Sequence, residues 1–267
     1  MIGIHCLLLP LVFPAVESVS AQQDAEPKTP ALARPAGVSF SILPPPPADD
    51  TPAGLADLNV VLYLQSIRTP EMTDMAHRMA SSSVFAMDQP IFGAWFTREN
   101  LPRTTAVMRE ATMVTDAILA EAKAHWNRPR PYMRSPEVSP VVNGSREGSY
   151  PSGHTFGAAI PQFILSEAFP EHAAALDARI REVMWGRVVG GVHFPTDTEA
   201  GRLLARAAVT EMAKTPAMRE SIEIIRKEAA PFIAAEKARA AADPAKTEEA
   251  PASPATPASA APSSAPK

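Results

Sequence analysis

The sequence predicts an all-α protein, a compact helical bundle whose functional residues sit at helix termini. Apolar residues recur at three- and four-residue spacing in segments 55–65, 100–126, 154–168, 172–187, 195–213 and 217–240. Period-two alternation of Val, Ile and Thr is nearly absent, and there is no strong hairpin signal. The 267 residues are 46% hydrophobic and 20% charged. That suffices for one sizeable core and argues against global disorder. Amphipathic helices of this kind bury their apolar stripes against one another.

Residues 2–16 are nearly all apolar, but Pro10 and Pro14 interrupt them. The run falls short of the roughly 20 residues that span a bilayer. Val19 and Ala21 occupy A-x-A-like positions, so residues 1–21 read as a signal peptide. No Lys or Arg precedes the apolar run, which leaves the start methionine open. Cleavage after Ala21 would remove Cys6, the single cysteine, and leave a thiol-free chain suited to an oxidising compartment. The expected location is periplasmic or secreted. Later apolar stretches carry charges or prolines, so no stable membrane insertion of the mature chain is expected. A formal net charge of -4 gives no electrostatic case for nucleic acid. One cysteine excludes an internal disulfide framework and a cysteine-built zinc site.

Residues 22–50 are polar and proline-rich, ending in LPPPPADD, and read as a linker or as an arm laid over the body. Residues 51–238 form the expected helical domain. Residues 239–267 are almost entirely Ala, Pro, Ser, Lys, Asp, Glu and Thr, the composition of a disordered tail.

Three segments of the domain carry chemistry. In the first, Lys123 ends the long helix, and Pro129 and Pro131 hold Arg130 on a bent, stiffened segment. A cation-rich helix C-terminus, favourable to the dipole, is the plainer reading. In the second, the turn Pro151-Ser152-Gly153 feeds a helix opened by His154. Free N–H groups and the positive dipole end make a ready anion site, to which Ser152 adds a hydroxyl. Ser152 as an ordinary N-cap is the alternative. In the third, Gly190 and Gly191 end one helix after Arg187, and Pro195 begins the next. Asp197, four residues after His193, can bond one ring nitrogen and leave the other free as a nucleophile. A helix-stabilising Asp beside a surface His is the competing account. Taken together, oxyanion-binding cations and an oriented histidine suggest phosphoryl transfer. His77 and His172, on predicted helices without partner motifs, read as surface or packing residues, and His125 as a spacer residue with bordering the pocket as the alternative. Trp126, Tyr132 and Tyr150 flank the motifs.

The order Lys-x6-Arg-Pro, Pro-Ser-Gly-His and Arg-x5-His-x3-Asp resembles the signature of the type 2 phosphatidic acid phosphatase superfamily, which also contains vanadium haloperoxidases. LPPPP (43–47), FTRENLPR (96–103) and GSYPSGHT (148–155) resemble the secreted bacterial class A nonspecific acid phosphatases, and the resemblance spans roughly residues 43–213. It implies a metal-independent acid phosphatase that hydrolyses small-molecule phosphate esters with broad specificity and needs no cofactor. His193 would attack phosphorus, oriented by Asp197. Lys123, Arg130, Ser152, Gly153 and Arg187 would hold the oxyanions, and His154 would protonate the leaving group. A vanadium-dependent haloperoxidase and a lipid or pyrophosphate phosphatase of the same superfamily are the rivals. A homo-oligomer stays open. One departure stands out. The family usually has Ser-Arg in the third motif, where this chain has Gly186-Arg187. If the usual hydroxyl supports phosphate, Gly186→Ser is expected to improve KM or kcat.

Overall fold

Prolines set where most helices begin. In the computed structural model, which describes residues 28–81 and 83–242, six of the nine α-helices start on one. These are α1 (Pro52–Ser66), α2 (Pro70–Ser81), α4 (Pro102–Trp126), α5 (Pro131–Arg134), α8 (Pro195–Ala213) and α9 (Pro216–Ala242). At the first helical position proline loses nothing, because that N–H has no intrahelical acceptor. The others are α3 (Val84–Phe92), α6 (Gly153–Ala168) and α7 (Ala173–Val189). Two 3-10 turns, Phe40–Ile42 and Pro170–His172, complete the secondary structure, and no strand occurs among the described residues. The expected signal segment and residues 243–267 of the expected tail lie outside the described residues. Helix α9 runs to Ala242, a few residues into the stretch read as tail.

Helix α6 is the centre of the bundle. Phe156, Ala159, Ile160, Phe163, Ile164 and Leu165 are buried, so the helix is apolar around most of its circumference. A helix of that kind must be enclosed, and α4, α7, α8 and α9 pack around it. Its N-terminus therefore opens where several helix ends converge.

The proline-rich segment 28–50 lies over this body. Leu32, Val38 and Leu43 are buried in the main core. Arg34 pairs bidentately with Glu121 of α4 at 2.8 and 2.7 Å. Phe40 stacks on His125 at 4.5 Å and meets Trp126 edge-on at 5.3 Å. Trp126 in turn packs edge-on against Tyr150, whose hydroxyl donates to Pro44 O at 2.5 Å. His125 and Trp126 thus serve the seating of the arm. His172 packs edge-on against Phe92.

The candidate active site

The three motif segments are laced together by backbone hydrogen bonds. Ser149 N–H donates to Arg128 O at 2.8 Å, and Ser152 N–H donates to Asp197 O at 2.8 Å. Arg130 Nε donates to Glu147 O at 3.0 Å. Together they close one cavity of about 550 Å³. Lys123 reaches it from the last turn of α4, Arg130 from the residue before α5, and Gly153 and His154 from the start of α6. Arg187 lines it from the end of α7, and His193 from the α7–α8 connection.

Ser152 and Asp197 stand behind this wall. Ser152 is fully buried and caps α6, its oxygen accepting from the Thr155 N–H at 3.4 Å and the Thr155 hydroxyl at 3.2 Å. The N-cap reading of Ser152 therefore holds in this structure. Gly153 and His154 head the helix, where N–H groups lack intrahelical acceptors. A Cβ at Gly153 would sit 3.3 Å from Lys123 Cε, so glycine keeps room for the lysine stem.

His193 is 1% exposed, and its partners fix its tautomer. Nδ1 lies 3.3 Å from Asp197 Oδ2, and Nε2 lies 3.2 Å from an Arg130 terminal nitrogen. A carboxylate only accepts and a guanidinium only donates. The proton therefore resides on Nδ1, and the Nε2 lone pair is directed at Arg130 and the cavity. Burial pushes the His193 pKa down to about 4, against the hydrogen bond and charge of Asp197, which raise it. The ring is neutral at all but strongly acid pH.

Asp197 is held as a carboxylate. Burial alone would raise its pKa; hydrogen bonding to His193, the charge of Arg128 and the Phe194 N–H at 2.8 Å outweigh it and hold it below the ordinary value. Arg128 is the residue that sequence reasoning missed. Its guanidinium donates to Asp197 Oδ1 at 2.7 Å, to Asp57 Oδ2 at 2.8 Å and to the Thr196 hydroxyl at 2.9 Å. It lies over the Phe194 ring, 4.1 Å from its centroid. Arg128 and Arg130 share one proline-bounded bend, and their spacing gave no reason to separate a structural from a cavity-lining arginine. Asp57 did leave a signal. With Gly54, Val61 and Leu64 it falls on the buried stripe of α1, a carboxylate where an apolar residue belongs.

The cavity-lining cations are partnered differently. Lys123 donates to Gly148 O at 2.6 Å, and Arg130 donates to the carbonyls of Glu147 and Val192. Arg187 is 5% exposed and its Nε is buried without a hydrogen-bond partner. Among the described residues none of the three forms a salt bridge. Burial, then the neighbouring Arg130 charge, lowers Lys123 to about 8 and Arg187 to about 10. Three crowded cations, none of them in a salt bridge, form a seat for a polyanion, with the Glu147 carboxylate at the cavity wall.

His154 is exposed at the cavity, and its Nε2 lies 3.0 Å from Ala80 O of α2. That carbonyl only accepts, so Nε2 carries a proton. Desolvation, then the charges of Arg187 and Arg130, hold its pKa below the ordinary histidine value. His77 of α2 is exposed, as its surface reading expects, and it also lines the cavity. One expectation needs correction. Gly186 is buried and does not line the cavity. A Cβ there would lie 2.9 Å from Met79 Cβ, so the missing hydroxyl reflects the close approach of α2 to α7. Gly186→Ser is not expected to improve phosphate binding.

Residues 106–220 match the model of the PAP2 superfamily, a span that includes all three motifs. The chain is 31% identical over 196 residues to a non-specific acid phosphatase of Salmonella typhimurium, covering 70% of this chain and 78% of that one. It is 27% identical to a non-specific acid phosphatase of Providencia stuartii, over 69% and 78% of the two chains. An acid phosphatase of Zymomonas mobilis is 30% identical over 48% of this chain and 50% of its own.

Proposed function

The chain belongs to the PAP2 superfamily and is a phosphatase, and from that premise we propose that it is a metal-independent acid phosphatase working through a phosphohistidine on His193. One observation carries this reading: a neutral, buried histidine whose Nε2 lone pair faces the same cavity as three cations that form no salt bridge. The phosphoryl group of a monoester sits among Lys123, Arg130 and Arg187 and the N–H groups of Gly153 and His154. These groups neutralise the charge that spreads over its equatorial oxygens.

His193 Nε2 attacks phosphorus as the P–O ester bond breaks, and His154, protonated on both ring nitrogens, keeps the Nε2 proton on Ala80 O and gives its Nδ1 proton to the leaving oxygen. Asp197, fixed by Arg128, stabilises the positive charge that develops on His193. In the second half, His154 takes a proton from water as its oxygen attacks phosphorus. The P–N bond breaks, His193 returns to neutral, and inorganic phosphate leaves. Ser152 supports the cradle as the cap of α6.

Metal independence is supported by the residues themselves. Among those described, no group of three His, Cys, Asp or Glu side chains could hold a metal ion. Export belongs to the same proposal: residues 1–21 carry the signal-like pattern, and no described helix is long and apolar enough to cross a membrane. The test is turnover of a phosphomonoester panel by purified protein in EDTA, beside a pyrophosphate, a lipid phosphate, and halide with peroxide and vanadate. Monoester hydrolysis that persists in chelator and is competitively inhibited by vanadate is expected. Activity lost in EDTA and restored by a divalent ion would overturn metal independence.

A further inference from the structure

Beyond His154 the cavity continues into a groove of about 330 Å³ between α6 and the α2–α3 pair. Gly153, His154, Gly157, Ala158 and Pro161 form one wall. Their spacing places them on one face of α6. Met79 of α2, with Val84 and Met87 of α3, forms the other. Among the described residues lining it, His154 is the only ionisable one. A second groove, of about 540 Å³, leaves the cavity on the Lys123 side; Leu119, Ala120 and Ala124 line it together with the carboxylates of Asp116 and Glu147. Both sides offer apolar surface, the Lys123 side also carries charge, and the reaction chooses between them. The leaving oxygen must sit beside the group that protonates it, so the rest of the alcohol departs along the His154 side.

We propose that the groove walled by Met79, Val84, Met87 and Gly157 is a leaving-group subsite that selects phosphate monoesters of apolar alcohols. The proposal rests on the role of His154 given above. Methionines suit this task, because their unbranched thioether chains repack around apolar groups of differing shape. Gly157 keeps the floor open: a Cβ built on it meets nothing within 4 Å. The bond from His154 to Ala80 O also ties the acid to α2, which supplies Met79 to the opposite wall.

Alkyl phosphates test this without confounding leaving-group acidity, since ethanol and hexanol have nearly the same pKa. Each methylene buried in the groove is worth roughly a fourfold gain, so hexyl phosphate should exceed ethyl phosphate in kcat/KM by at least roughly tenfold. Gly157→Leu fills the groove and should collapse that ratio towards one, while inorganic phosphate inhibits variant and parent alike. Val84→Asn makes the opposite wall polar and should lower the same ratio, guarding against a misfolded glycine variant. Equal kcat/KM for the two esters in the parent enzyme would overturn the subsite and leave the phosphatase reading standing. A hexyl preference retained in both variants would place the apolar contact elsewhere and overturn it equally. Absence of turnover with every ester would instead remove the reading on which the subsite rests.

Discussion

His193 and His154 divide the acid–base work because their surroundings differ. His193 is buried against an ionised Asp197 and neutral above about pH 4. His154 must carry a second proton to act as an acid, and its pKa lies below the ordinary histidine value. Activity should therefore rise as pH climbs through about 4, where His193 loses its proton, and fall as His154 deprotonates below neutrality. The kcat/KM profile of a poor-leaving-group ester is the measurement, and a plateau through pH 8 would contradict the assignment. A bound phosphate dianion raises the His154 pKa, so the kcat profile should extend further towards neutrality than that of kcat/KM. Lys123, lowered to about 8, should add a rise in KM for phosphate esters above that pH. Arg128 contributes through Asp197. Arg128→Ala leaves the buried carboxylates of Asp57 and Asp197 without their shared cation. It should cost about 3–5 kcal/mol of stability in urea unfolding, and kcat should fall because His193 loses a fixed partner.

At the scale of elements, two helix contacts carry consequences that the motifs do not reveal. Helix α2 approaches α7 where Gly186 has no side chain, so Gly186→Ser should overpack that contact by about 1–3 kcal/mol. A lowered Tm without improved KM is the expected outcome. Helices α3 and α6 meet through Asp88, whose Oδ1 accepts from Gln162 Nε2 at 3.0 Å. Asp88 Oδ2 and Gln162 Oε1 are both buried without partners. Burial pushes Asp88 up to about 6, against the Gln162 hydrogen bond and the Arg179 charge. Its folded pKa exceeds its unfolded value, so the folded state binds the extra proton and this residue favours folding in acid. That contribution is lost as pH rises from about 4 through about 6. Asp88→Asn removes the buried charge and supplies an N–H for Gln162 Oε1. It should raise stability at pH 8 by on the order of 2–3 kcal/mol and by less at pH 5. The six long periodic segments were legible because each shows an apolar face. Helix α2 was legible only as a helix around His77, without bounds, because its apolar positions are filled by methionine and alanine within a polar stretch. Helix α3 was overlooked because Pro90 interrupts nine residues that Ser83 caps and Gly93, at φ 103°, terminates.

Over the whole molecule, one buried helix organises the site. Helix α6 is enclosed along its length, and its exposed N-terminus is where the ends of α4 and α7 and the start of α8 arrive. Residues far apart in sequence but each next to a proline or glycine turn are thereby gathered around one cavity. Turn-adjacent charges are visible in a sequence, which is why Lys123, Arg130, His154, Arg187, His193 and Asp197 could be read from it. Long-range partners are not. Asp57 meets Arg128 across 71 positions, His154 meets Ala80 across 74, and His77 reaches the rim only because α2 packs on α7. The account turns on the covalent step, and rapid-quench labelling with phosphorus-labelled 4-nitrophenyl phosphate tests it most directly. Acid-labile phosphoenzyme should form in the parent protein and accumulate in His154→Ala, where a good leaving group needs no proton but water lacks its base. It should be absent from His193→Ala. Phosphoenzyme in His193→Ala and none in His154→Ala would contradict the assignment of the nucleophile.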